Sequence, residues 1–189
     1  MTKQTIIARL DRVLKPVGFV RRKARWNRRV DVFVDVIDLQ ISKDGDTITV
    51  NAGVLDTVVH VTLWGGATPA FVDETLCTVR ARIGALIDDK DKWWELGARR
   101  SADDIADEVS ARVLPFLERL HSREAMERWL TEAEVVRKHY PPPILSLAIL
   151  KSLLGRTEEA CAVLAQLRED PAGAWQTRFT DVAARLGCE

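Results

Sequence analysis

Cysteine is scarce in this chain. Cys77, Cys161 and Cys188 are odd in number and far apart. That pattern argues against a disulfide framework and predicts free thiols in a reducing cytoplasm. Charge of one sign is lacking too. The 28 lysines and arginines balance 28 aspartates and glutamates, so the formal net charge is zero. A neutral chain is not drawn as a whole to nucleic acid or to a membrane surface, although a local patch can be. No apolar run approaches the roughly 20 residues of a membrane span. The opening MTKQTIIARL has neither the layout nor the cleavage site of a signal peptide. There is no GxSxG, no Walker loop, no GxGxxG and no recognisable Cys–His signature. His60, His121 and His139 are far apart, and none has a partner at metal-ligand spacing. The sequence therefore predicts no catalytic residues, no metal and no cofactor.

What is present is globular. Hydrophobic residues make up 47% and charged residues 30%, which supports a packed core. The 189 residues suit one large domain or one domain with an appendage. A first helix is expected after Thr2, with Ile6, Leu10, Val13, Leu14 and Val17 on one face. Strands are expected over Phe19–Trp26 and Val30–Ser42. A three-residue turn at Asn27–Arg29 would set Arg25 opposite Asp31 and Arg21 opposite Asp35, where unlike charges help by roughly 0.2–1 kcal/mol. Asp44-Gly45 is the dipeptide of a type I′ hairpin turn. It places Ile41 opposite Ile48, Leu39 opposite Val50 and Ile37 opposite Ala52. Val32, Val34 and Val36 occupy the other face, so the sheet should be covered on both sides. A fourth strand is expected over Val58–Trp64, ending at Gly65-Gly66.

Thr68-Pro69 has the form of a helix start, and Val72, Leu76, Val79, Ile83 and Leu86 make an apolar stripe behind it. Ser101 opens another helix carrying Ile105, Val109 and Val113, which Pro115 kinks or ends. Ser122 opens a third, with Met126, Trp129, Leu130 and Ala133. Pro141-Pro142-Pro143 reads as an extended linker. Helices follow over Ile144–Leu154, from Thr157, and over Ala174–Leu186. The expected fold class is α+β: an N-terminal helix, a four-stranded antiparallel sheet and packed helices in residues 1–140, then an all-α segment in residues 141–189.

Two resemblances accompany this reading. AILKSLLGRTEEACAVLAQL looks like part of one tetratricopeptide repeat, through Leu154-Gly155, Ala160, Leu164 and Leu167. Such helix pairs need neighbours to be stable, which favours a plain helical hairpin packed on the main domain. The second is broader. The order of a helix, GFVRRKARWNR, then Leu39-Gln40 with Asn51-Ala52-Gly53-Val54, then Trp93-Trp94 resembles the bacterial family called domain of unknown function 4304, over roughly residues 5–120. That resemblance implies a small α/β domain and supplies no activity and no catalytic residues.

The candidate binding residues are Arg22, Arg25, Trp26, Arg28, Arg29, Trp93 and Trp94. Six cations fall between Arg21 and Arg29. An arginine-rich ribbon can hold phosphate, with Trp26 at its tip stacking on a base. The competing reading is a basic edge strand that resists aggregation. Trp93 and Trp94 are adjacent and cannot easily share one core, so one could anchor another chain; alternatively both plug the end of the sheet. Asp31 and Asp35 share a strand face, as acid–base catalysis or an ion-pair ladder would require. The leading functional expectation is a non-enzymatic cytoplasmic protein-binding module, immunity- or adaptor-like. The alternative is a nucleic-acid-binding protein using the basic hairpin. A homodimer is a further partner class; a membrane is not expected.

Overall fold

The computed structural model describes residues 2–88, 90–132, 140–167 and 174–188. The chain packs as two compact units. One comprises Met1–Leu55 with Ala70–Arg119, the other Asp56–Pro69 with Leu120–Glu189.

In the first unit, α1 (Lys3–Leu14) begins where the Thr2 hydroxyl accepts the Thr5 amide, and it buries Ile6, Ile7, Leu10 and Leu14. Val17 falls in a 3₁₀ turn and is exposed rather than part of the stripe. Strands β1 (Val20–Arg22), β2 (Arg25–Val30), β3 (Phe33–Ile41) and β4 (Thr47–Asp56) follow in spatial order. Then β5 (Val79–Arg82) and β6 (Trp94–Glu95) both pair antiparallel with β4. The sheet thus has six strands rather than four.

The first expected strand breaks at Lys23, which adopts φ 56, and the next turn falls at Asp31, with φ 49. Aspartate tolerates that left-handed conformation better than most residues. The register shifts accordingly: Arg28 faces Asp35 and Arg25 faces Asp38. At the following turn only Gly45 has positive φ, so it is not type I′. The Ser42 amide donates to the Thr47 carbonyl at 2.9 Å, which leaves Ile41 and Ile48 next in line, as expected.

Val34 to Ile37 and Ile48 to Asp56 are all buried, so the centre of the sheet is covered on both faces. On one face Val34, Val36 and Leu55 pack with Val72, Leu76 and Cys77. Gly53 leaves the room for this: a Cβ there would lie 2.9 Å from the Cys77 Sγ and 2.7 Å from the Val79 carbonyl.

The helix expected from Thr68 is not formed. That stretch holds a 3₁₀ turn (Glu74–Leu76), β5 and the short α3 (Ile83–Ile87). Asp73 accepts both the amide and the hydroxyl of Thr75, an Asx turn that competes with helix. Val79–Arg82 instead completes the ladder of β4. Val72, Val79 and Ile83 are buried all the same, so the stripe marked core residues but not their geometry. Further on, α4 (Ser101–Glu108) passes through a π-helical segment (Val109–Val113) into α5 (Leu114–Arg119). The π segment abuts Pro115, which has no amide to give to the turn before it.

In the second unit, Val58–Trp64 is a helix and not a strand. Asp56 caps α2 (Thr57–Trp64) by accepting the amides of Val58, at 2.7 Å, and Val59, at 3.2 Å. The β-branched residues favour a strand only weakly, and the cap decides. Asp56 is fully buried and takes the Arg123 Nε at 2.7 Å. Helix α6 (Arg123–Glu132) starts from Ser122, whose hydroxyl accepts the Ala125 amide. Ala133, expected on its face, lies outside the described residues.

The three prolines are not a linker; they form the first turn of α7 (Pro141–Leu153). First-turn amides have no partner inside a helix, so prolines there forfeit no hydrogen bond. Gly155 at φ 79 turns the chain into α8 (Thr157–Leu167), and α9 (Ala174–Leu186) packs against both α7 and α8. That packing corrects the free-thiol expectation. Cys161 and Cys188 form a disulfide, with Cα atoms 5.3 Å apart across a separation of 27 residues. A loop of that size predicts a contribution of about 3–4 kcal/mol. Cys77 is the free cysteine among the described residues.

Replacing Asp56 with alanine removes the α2 cap and strands the Arg123 charge. We expect a loss of about 3–5 kcal/mol in urea unfolding. Asp56→Asn, which keeps a capping oxygen, should lose clearly less.

Candidate functional site

The arginine-rich ribbon of β1, β2 and β3 is built by alternation. Arg25, Asn27 and Arg29 point to one side, and Trp26 and Arg28 to the other. The first side grips the segment from Ala70 to Asp73. The Arg25 guanidinium binds Asp38 at 3.0 Å and also Asp73. The Asn27 amide group donates to the Val72 carbonyl at 3.2 Å and accepts the Val72 amide at 2.6 Å. Arg29 donates to the Ala70 carbonyl at 3.5 Å. Arg22 lies over the Phe71 ring, 4.8 Å from its centroid.

On the other side, Trp26 is fully buried. Its indole N–H donates to Asp11 at 2.8 Å. It is therefore core, and not a platform for a base. Arg28 binds the fully buried Asp35 at 2.7 Å and lies over the Phe19 ring at 4.8 Å. Arg21 donates to Asp11 at 3.1 Å and to the Lys23 carbonyl. Asp11 also takes the Lys15 ammonium at 2.8 Å. Burial opposes its charge, but Lys15, Trp26 and Arg21 outweigh that and hold its carboxyl below the usual range. Burial pushes Glu74 the other way, upward, and its salt bridge to Arg80 only partly offsets this.

The remaining candidates separate. Trp94 is buried and pairs with Ile48 in the sheet, with Lys92 over its ring at 5.6 Å. Trp93 is half-buried; its N–H donates to Asp91 at 3.0 Å and Arg82 lies over its ring at 5.2 Å. Adjacent tryptophans do diverge, and the second belongs to the core. Asp31 sits exposed in a turn while Asp35 is buried with Arg28, so they do not form a two-carboxylate face. His60 is buried within α2 rather than facing solvent from a strand, and burial pushes its pKa down. His139 lies outside the described residues. Among the described residues no group of three or more His, Cys, Asp or Glu side chains could hold a metal ion. A cleft of about 400 Å³ lies between Lys92 and Trp94 on one side and Asp104, Asp107 and Glu108 on the other.

Two features escaped sequence reasoning. Asp11 carried no role in the sequence reading, yet it gathers Lys15, Arg21 and Trp26. The apolar surface at Val17, Val20 and Val32, exposed by 42%, 65% and 39%, was hidden because each valine had been placed in a buried stripe or strand. Positive φ at Lys23 and at Asp31 marks the two turns of the ribbon, one at each end of β2.

An antiparallel sheet with helices, carrying an arginine ribbon tied to carboxylates of the same unit, is an α+β fold. Residues 10–119 match the family described as a domain of unknown function (DUF4304), and the chain belongs to that family. No curated protein and no solved structure matches it. No described helix is long and apolar enough to cross a membrane.

The Asp11 carboxyl is held lower folded than unfolded. Its contribution is thus full above the unfolded pKa and is lost as pH falls through the folded one. Asp11→Asn should cost most near neutrality, with the gap to wild type closing below about pH 4. Urea midpoints between pH 7 and pH 3 check this; a constant gap would contradict it.

Proposed function

We propose that this chain is a non-enzymatic protein-recognition module, and that the end of the ribbon around Val17, Val20 and Val32 is its contact surface. The observation that carries this reading is the exposure of those three valines beside cations already engaged within the fold. Val20 pairs opposite Asn27. Arg28 donates to the Val17 carbonyl at 3.4 Å and its side chain passes Gly18, so Val17 lies beside β2, and Val32 lies in the turn that follows β2. An apolar centre with a charged rim is the anatomy of a protein interface. The fitting partner presents an apolar patch to meet Val17, Val20 and Val32. An immunity- or adaptor-like role, in which the module masks its partner, is the form we favour, set in the cytoplasm.

Nucleic acid binding finds less support. Arg21, Arg25 and Arg28 are tied to Asp11, Asp38, Asp73 and Asp35, and Trp26 is buried. Phosphate would have to displace those carboxylates.

The test is affinity capture from the native cells at 50 and 200 mM salt, with nuclease, comparing wild type with Val17→Glu/Val20→Glu. We expect a protein partner held by wild type at both salt concentrations and lost with the double variant. Recovery of nucleic acid that falls steeply with salt would overturn the reading.

A further inference from the structure

We propose that the Cys161–Cys188 disulfide is a redox latch on α9. Helix α9 closes the end of α2. Arg178 donates to the carbonyls of Leu63, at 3.4 Å, and Trp64, at 3.0 Å, and Arg185 donates to that of Thr62. These are last-turn carbonyls that have no partner within α2. Arg178 also lies over the Trp64 ring at 5.1 Å, and Trp175 meets the same ring edge-on at 5.9 Å. Phe179 and Val182 bury the apolar side of α9.

The disulfide sits at the C-terminal end of α9, shortly after Arg185. Cys188 lies just past α9, beyond Gly187, and it is joined to Cys161 on α8. Both cysteines are half-buried, within reach of a small or protein dithiol. Cys77 contrasts with them: burial pushes its thiol well up, which leaves little thiolate to react. The latch rests on the cytoplasmic setting of the proposed function: in that reducing compartment a disulfide in such a place is one that cycles.

The step balances simply. A dithiol passes two electrons and two protons to the bridge, the S–S bond breaks, Cys161 and Cys188 become thiols, and the dithiol becomes a disulfide. Closed, the bridge keeps α9 near its seat. Open, α9 is held by its apolar packing and by the arginine and tryptophan contacts, without the covalent tie, and its departure uncovers Trp64 and the carbonyls of Thr62, Leu63 and Trp64. The bistable element is α9, docked or released, and the bridge biases it by limiting how far it can go.

Hydrogen exchange of the full chain tests the latch, comparing the oxidised protein, the same protein reduced with dithiothreitol, and Cys188→Ser. We expect exchange at least tenfold faster across α9 and at Trp64 to Gly66 in the reduced form and in the variant. Rates in β3 and β4 should not change, and reoxidation should restore slow exchange. Three outcomes would overturn the proposal. The first is equal rates in α9 in both redox forms. The second is three free thiols after treatment with oxidised glutathione. The third is uniform acceleration across α6, α7 and α8, which would make the bridge a staple of the whole unit. Should Cys188→Ser fail to fold, the reversible comparison of wild-type redox forms decides alone.

Discussion

The β2–β3 ribbon is covered on both faces where it meets Asp35 and Asp38, and every charge it carries there must be answered inside the protein. That constraint orders the first unit. A buried, uncompensated charge costs several kcal/mol, far more than an exposed ion pair returns. Arg28 is therefore matched to Asp35, Arg25 to Asp38 and Asp73, and Arg21 to Asp11. Each match fastens a different piece of chain: Asp11 brings in α1, and Asp73 brings in the segment before β5. The arginines, which look in the sequence like a patch offered to phosphate, are ties between layers of the fold.

Local chemistry explains how much could be read beforehand. Periodicity found α1, α8 and α9, because their apolar faces meet a single layer. The two-faced burial of the sheet was also readable, since apolar residues fill consecutive positions of β3 and β4. Failures came where a tertiary or side-chain partner overrode a local pattern. The Asp56 side chain turned a valine-rich strand into α2. The free edge of β4 recruited Val79–Arg82 out of a stripe spaced as a helix would be. The prolines before Ile144 had to be read with helix-end bookkeeping, in which first-turn amides need no partner.

The candidate site was readable in part. The ribbon and its family likeness stood in the sequence, from Gly18 through Val54. Which arginine faced which aspartate did not, because register depended on Asp31 taking a left-handed conformation. A shift of that turn exchanges every partner at once. Of the exposed valines, Val32 lies in that same turn. Trp93 and Trp94 were correctly placed at an element end, and the period of two then sent them to different surroundings. Cys161 and Cys188 could not be paired from spacing, since only the packing of α8 with α9 brings them together.

The π segment between α4 and α5 has a consequence for how this fold can change. Ile105, Val109 and Val113 recur in steps of four, whereas an α-helix turns in 3.6 residues. The wider π turn absorbs the surplus and lets Phe116 and Leu117 return to the same core. Deleting one residue from Val109–Val113 would remove that surplus and let the segment close as ordinary α-helix, with Phe116 and Leu117 still facing the core. This stretch can therefore lose one residue without any change to the apolar pattern of α5.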